Sequence, residues 1–346
     1  KPQRELGMGL GTLASVGCAL ATDIDTLVAL RFVQGLGAAA GMAIPRAVVR
    51  DRHTGHEAAR MMSLLMLVFS VSPILAPLVG SGLIAIGGWR LVFWVVSAAA
   101  ALGLMAMVRG LPETRDADAR LRSGFAAALK ASPSLLRDWR DALSAYARLL
   151  RDWHYLGLVF IGACAMAGFF VYLAGSPFVL INYYGLSATE YSMAFAFNAI
   201  SFIGAAQFTG ALGKRFGLVN VVKAAASGSG VVMLTLLGYY LMGGEQLAVL
   251  IGLYFVASAL MGLVIPTTSV LALEEHGEIA GTASALLGTL QMLTGAVAMQ
   301  VVGVFSNGKP LPMVIGMALG ALCGVMLTWV TLGGAAKAKK YASSSH

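Results

Sequence analysis

The sequence predicts an all-α membrane protein made of two helix bundles joined by a polar linker. Three observations carry this prediction. Hydrophobic residues make up 58% of the 346 and charged residues only 12%, with a mean hydropathy of +0.80, so the apolar surface exceeds what one soluble core could hide. Runs of about 18 or more mostly apolar residues recur along the chain, each long enough to cross roughly 30 Å of hydrocarbon as a helix. A short segment also repeats in the same orientation in both halves, "GMAIPRAVV" at 41–49 and "GLVIPTTSV" at 262–270. Alternating ten-residue strands are absent from the sequence. A spanning segment must satisfy its own backbone hydrogen bonds, so helices are expected rather than a barrel.

The predicted spans are 6–22, 27–48, 59–85, 90–108, 155–181, 189–211, 219–242, 246–271, 280–305 and 311–333, ten in all. The repeat holds its register beyond the match. Glu57-Ala58-Ala59 meets Glu278-Ile279-Ala280, Ser63 meets Ser284, and Pro45 meets Pro266. Two parallel repeats related by an axis along the membrane normal follow from that register. Carrying the repeat through gives six spans after the linker and four before it, so two further spans are expected ahead of Lys1. The expected organisation is a partial first bundle at 1–108, a linker at 109–153, a six-helix bundle at 154–334 and a tail at 335–346.

A net charge of +8 could suggest nucleic acid, but the basic residues cluster on alternate loops. Lys1 and Arg4, then Arg46, Arg50, Arg52 and Arg60, then nine Lys/Arg between Arg109 and Arg151, then Lys214 and Arg215, and finally Lys337, Lys339 and Lys340 fall on one side. The opposite loops hold only Arg90 and Lys309 as basic residues. By the positive-inside rule both termini are cytoplasmic, the partner is a lipid bilayer and no nucleic acid is expected. A monomer is expected. Cys18, Cys164 and Cys323 fall inside spans and far apart, so no disulfide framework or CxxC motif is suggested. His53 and His56 share a basic loop with no further ligand, so no metal is expected.

Within the linker Leu135, Leu136, Trp139, Leu143, Tyr146, Leu149 and Leu150 recur at helical spacing between Arg137, Arg140, Asp141, Arg148 and Arg151. An amphipathic helix follows. It either lies on the cytoplasmic membrane surface or only tethers the halves.

Two spans carry unusual chemistry. "RFVQGLGAAAG" at 31–41 places a guanidinium, Arg31, inside an apolar run. It either faces the protein interior, where Gln34 shares its face, or snorkels toward the helix start marked by Asp23 and Asp25. Gly35, Gly37 and Gly41 allow a neighbour to approach closely. "SPILAPLVGSGL" at 72–83 has prolines at 73 and 77 and glycines at 80 and 82. A bent helix is expected there, because each proline removes a backbone donor and crowds the preceding turn.

These two segments resemble the fourth- and fifth-span motifs of the major facilitator superfamily, the second being that of its drug:proton antiporters. "Lys1-Pro2" looks like the tail of the family's cytoplasmic motif between spans two and three. "RAVVRD", "EAARMMSLLML", "LPET" and "SPFVLINYYGLS" together resemble the bicyclomycin-resistance (Bcr/CflA) subfamily over nearly the whole chain. The resemblance implies the major facilitator fold, with ten of its twelve helices present. It also implies that Arg31 is the motif arginine near the proton-transfer site, that Gln34 and Gly35 belong to that motif, and that Pro73, Ala76, Pro77, Gly80 and Gly82 form the antiporter motif. Ala76 stands where a glycine is usual. The second copy of the cytoplasmic motif, "GALGKRFG" at 210–217, keeps Lys214, Arg215 and Gly217 but has Gly213 where an aspartate can stand.

A proton-coupled carrier needs a carboxylate that titrates within the membrane. None is found, since Glu5, Asp23, Glu190, Glu245, Glu274, Glu275 and Glu278 all sit at or beyond span ends. The resemblance places such an acid in a first span that this sequence lacks. For a substrate cavity between the halves, the second half offers Tyr172, Phe178, Phe195, Asn198, Tyr254, Gln291 and Met292, each equally consistent with ordinary helix packing. The expected function is proton-coupled efflux of amphipathic drugs across a bacterial inner membrane by alternating access. It needs no cofactor beyond the proton gradient. The alternatives are a metabolite uptake symporter or facilitator on the same fold, and a non-transporting sensor or scaffold. An enzyme is not expected, because no nucleophile, base and orienting residue come together in the spans.

Overall fold

Each apolar run predicted from the sequence is helical, and among the described residues there is no strand. The computed structural model describes residues 2–52, 55–110 and 133–333. His53, residues 111–132 of the linker and the tail lie outside the described residues, as do the side chains of His56 and Pro73. The chain divides into two compact units, Lys1–Ala131 and Ser132–His346.

The first unit holds α1 (Pro2–Leu20), α2 (Ile24–Arg52) and α3 (Gly55–Gly110). Asp23 opens α2 as a cap, its Oδ1 accepting from the Thr26 amide at 2.7 Å. The cross of α1 and α2 is set by two glycines. A Cβ on Gly37 would collide with the Gly11 backbone and lie 2.9 Å from the Gly7 carbonyl oxygen, so the two backbones touch there.

The predicted spans 59–85 and 90–108 both fall in α3. Its φ/ψ leave helical values at Gly87 (φ −143, ψ 17) and Gly88 (φ 71, ψ −179). The break therefore sits between the two spans, while the backbone at Pro73 and Pro77, where the sequence predicts a bend, keeps helical φ/ψ. A proline ring holds φ at a helical value, whereas the positive φ of Gly88 has no helical counterpart. Beyond the break, Arg90 stacks over the Trp89 ring at 4.3 Å and donates from Nη2 to the Ala21 carbonyl at 3.0 Å. A Cβ on Gly103 would meet Met8 Cε at 3.8 Å. Residues 90–103 therefore run antiparallel to α1.

The second unit starts with α4 (Pro133–Arg151), the linker helix. It continues through α5 (Trp153–Pro177), a π turn at Phe178–Tyr183, α6 (Ala188–Gln207), α7 (Thr209–Phe216), α8 (Leu218–Leu241), α9 (Leu247–Glu274), α10 (Ala280–Val304) and α11 (Pro310–Gly333). Its core has two parts. One gathers Tyr172, Leu180, Phe195, Met233, Leu250, Tyr254 and Met317. The other gathers Leu149, Tyr155, Leu158, Val222, Ala283, Leu286 and Leu332.

Among the described residues, six helical segments are long and apolar enough to cross a membrane: Leu75–Arg109, Trp153–Tyr183, Leu218–Leu241, Leu247–Glu274, Gly277–Val304 and Pro310–Gly333. The pair α6 and α7, bent by 43°, forms a seventh if taken as one span. Helices α1 and α2 cover the first two predicted runs, with Gly7–Leu20 a shorter apolar stretch.

Candidate functional site

The first unit has an open cavity of about 470 Å³ lined by Met8, Gly11, Thr12, Ser15, Arg31, Gln34, Gly35, Gly37, Ala38, Val96 and Ala100. The Gly11–Gly37 crossing makes this site possible. It brings α2 close enough to α1 for a side chain on one helix to reach a hydroxyl on the other. Arg31 Nη1 donates to Gln34 Oε1 at 2.7 Å, Gln34 Nε2 donates to Ser15 Oγ at 2.6 Å, and Ser15 Oγ donates to the Gly11 carbonyl at 2.8 Å. The chain of donors runs one way, from the cation to a backbone carbonyl that the helix leaves with a free lone pair. The Arg31 guanidinium also lies 5.6 Å from the centre of the Phe93 ring. Arg31, itself exposed, thus lies along the cavity wall and points toward Gln34 instead of reaching back toward Asp23 and Asp25. One hydrogen bond uses one of its five donors, which leaves capacity for an anionic partner. Among the described residues no Asp or Glu lines this cavity.

Sequence reading groups Gly35 with Gly37 as contact glycines, and the structure separates them. A Cβ on Gly35 would meet nothing within 4 Å, and Gly35 faces the cavity. Gly41 lies outside the described side chains. In the antiporter segment of α3, Ala76 and Gly82 are exposed and Pro77 and Gly80 half-buried. Neither glycine there would bring a Cβ within 4 Å of a neighbour.

In the second unit the proposed cavity residues divide into two sets. Tyr172, Phe195, Asn198, Tyr254 and Gln291 are buried, while Phe178 is 56% and Met292 50% exposed. Tyr172 stacks on Tyr254 with ring centres 3.9 Å apart and on Phe195 at 6.0 Å. Asn198 Nδ2 donates to the Tyr172 hydroxyl at 3.0 Å, and beside it the hydroxyls of Ser201 and Ser258 bond one another. Asn198 Oδ1, the Tyr254 hydroxyl and Gln291 Nε2 are buried and have no hydrogen-bond partner among the described residues. Gln291 sits apart from the stack, its Nε2 2.5 Å from where a Gly162 Cβ would be. Tyr172, Phe195, Asn198 and Tyr254 therefore form one aromatic and polar cluster within the core.

Two further features lie in the loops of the second unit. Lys214 and Arg215 are exposed at the end of α7, and Gly217 (φ 79, ψ 140) makes the left-handed turn into α8. Sequence reasoning missed the second feature. Asp152 caps α5, its Oδ1 accepting from the amides of His154 at 2.9 Å and Tyr155 at 3.0 Å, while Oδ2 lies 3.1 Å from Nε2 of buried His276. The ring of Tyr155 packs edge-on to His276, and its hydroxyl donates to the Ala283 carbonyl at 2.6 Å. With Asp152 and His276 separated by 124 positions, nothing local in the sequence signals the pair.

Residues 5–299 match the Major Facilitator Superfamily. An uncharacterised MFS-type transporter of Bacillus subtilis is 32% identical over 297 residues, covering 85% of this chain and 70% of that protein. A bicyclomycin resistance protein homolog of Haemophilus influenzae is 24% identical over 333 residues, covering 94% and 78%. Multidrug resistance protein D of Escherichia coli is 28% identical over 301 residues, covering 86% and 70%. Among solved structures, a peptide transporter has a TM-score of 0.67 at 15% identity, covering 96% of this chain and 78% of its own. A D-xylose-proton symporter has a TM-score of 0.63 at 17% identity, covering 94% and 79%. The helical fold of the described residues and a family match over residues 5–299 place this chain in the Major Facilitator Superfamily, as a multi-pass membrane transporter.

Proposed function

We propose that this transporter is a proton-coupled exporter of amphipathic drugs, of the Bcr/CflA kind. The observation that carries the reading is the Arg31–Gln34–Ser15 chain on the wall of the first unit's cavity. A fixed cation held there by neutral donors and acceptors attracts a carboxylate when it is ionised and loses it when it is protonated. A carboxylate brought to this wall would bind Arg31 in one state of a transport cycle and take up a proton in another. Relatives named for bicyclomycin and multidrug resistance support drugs as the cargo.

In this reading Arg31, Gln34 and Gly35 serve proton coupling, and Pro73, Ala76, Pro77, Gly80 and Gly82 form the antiporter segment. Lys214, Arg215 and Gly217 serve gating at the cytoplasmic loop. Phe178 and Met292 are exposed to a ligand, and Tyr172, Phe195, Asn198, Tyr254 and Gln291 act from within the core. The protein works as a monomer in a bacterial inner membrane, with both ends of the sequence on the basic, cytoplasmic side.

The test is proton release from everted vesicles with an acidic interior when antibiotics are added, comparing the protein with Arg31→Ala. Drug-triggered release by the protein and none by the variant supports antiport. Equal release by both removes Arg31 from coupling. No release by either, with protein inserted and folded, overturns antiport.

A further inference from the structure

The linker helix α4 has three faces, and only two of them have an evident purpose inside the protein. One face packs inward: Leu149 is fully buried and Tyr146 half-buried against Tyr155, Leu158 and Leu286. On a helix of 3.6 residues per turn, Leu143 and Leu150 share a second stripe beside this face, and Arg140 and Arg151 lie beyond that stripe, with Arg148 further round. The arginines are exposed, as solvated charges should be. Leu143 and Leu150 are exposed as well, by 64% and 51%, and Trp153 just beyond the helix by 85%. In water, a row of bare leucines beside a bare tryptophan would be unfavourable.

Position explains the row. Only Asp152 separates α4 from α5, a membrane-spanning helix. Thr331 of α11 fills the space where a Gly157 Cβ would be, so the first turns of α5 lie beside the last turns of α11. At that same end Trp329 of α11 is 55% exposed, with Lys223 Nζ 5.5 Å from its ring centre. Exposed tryptophans within two turns of that contact, one of them beside a lysine, are what the headgroup region of a bilayer selects. Helix α4 is thus tethered at headgroup depth, with leucines on one side of its outer surface and arginines on the other. Its charge is biased to match, with four arginines against two aspartates.

We propose that α4 is a docking surface for anionic phospholipid: Leu143 and Leu150 enter the boundary between headgroups and acyl chains, and Arg140, Arg148 and Arg151 bind lipid phosphates. The inference rests on the membrane fold and not on drug export. The two readings therefore fail independently.

The test is amide hydrogen exchange over 140–151 in the full chain, held in nanodiscs of phosphatidylcholine alone or with phosphatidylglycerol, and in detergent. Exchange in the anionic nanodiscs is expected to be slower, by about fivefold for each arginine engaged. The triple variant Arg140→Gln/Arg148→Gln/Arg151→Gln abolishes the difference between lipids, and Lys309→Gln, in a different loop, keeps it. Leu143→Gln/Leu150→Gln speeds exchange in both lipids. Equal exchange of the unaltered protein in both lipids overturns the proposal, as does a lipid difference that survives in the triple variant. Full protection in detergent without lipid also overturns it, by showing that protein covers this face. If the triple variant fails to fold, the unaltered protein and the leucine variant still decide.

Discussion

His276 turns both of its ring nitrogens toward oxygen acceptors, Nε2 lying 3.1 Å from Asp152 Oδ2 and Nδ1 3.2 Å from the Ala272 carbonyl. The pair ties the start of α5 to the turn between α9 and α10.

Burial pushes the Asp152 carboxyl up. The amide hydrogen bonds of Tyr155 and His154 and the adjacent His276 outweigh it and hold the carboxyl below its ordinary value. A carboxylate depressed in the folded state adds stability that is present above its unfolded pKa and disappears as pH falls through the folded one. Asp152→Ala is therefore expected to lower the thermal midpoint at neutral pH, by the equivalent of about 1 kcal/mol for the lost cap. The gap between variant and parent should close in strong acid. Thermal unfolding in detergent from pH 7 down into strong acid, about pH 1.5, checks this, and a gap that stays constant over that whole range would show that the carboxylate's charge contributes nothing.

Gln34 is the link between Arg31 and α1. Gln34→Ala leaves the helix crossing intact but removes the acceptor on a charged donor, an interaction worth about 1.5 to 3 kcal/mol. Drug-triggered proton release is expected to fall at least tenfold while the protein stays folded and inserted. Gln34→Glu supplies the cavity with a carboxylate of its own and is expected to shift the pH dependence of release. An Ala variant with undiminished release would detach the relay from function.

Gly37 and Gly35 sit two residues apart and have opposite surroundings. A methyl group at Gly37 meets the Gly11 backbone, which cannot rotate away, so Gly37→Ala is expected to destabilise the first unit by roughly 1 to 3 kcal/mol. Gly35→Ala meets open space, so the fold should tolerate it. Comparing the thermal stability of the two variants decides whether the crossing is as tight as described.

Asn198 shares a hydrogen bond with Tyr172 inside the aromatic stack. Asn198→Ala strands a buried hydroxyl, at a cost of about 1 to 3 kcal/mol. If these residues act through packing, the variant loses stability and keeps the parent's ranking of exported compounds. A changed ranking with unchanged stability would assign Asn198 to the ligand. Resistance profiles measured beside melting curves separate the two.

The sequence by itself determined the helical class, the positions of the helices and the family, because twenty apolar residues in a row leave a backbone few ways to satisfy itself in lipid. It also singled out Arg31, since a charge inside an apolar run is conspicuous in one dimension. Contacts between residues far apart in the chain were left to the tertiary structure. The break in α3 fell to Gly87–Gly88, where the positive φ of Gly88 leaves the helical region. Gly37 became the contact and Gly35 the cavity wall because helix crossing, not composition, decides which glycine meets a neighbour. Tyr172 and Tyr254 were drawn into one stack from helices 82 positions apart, and Asp152 met His276 across 124. No sequence period encodes such pairings. They arise only when helices pack, because buried polar groups must then find whichever partners the packing brings within reach.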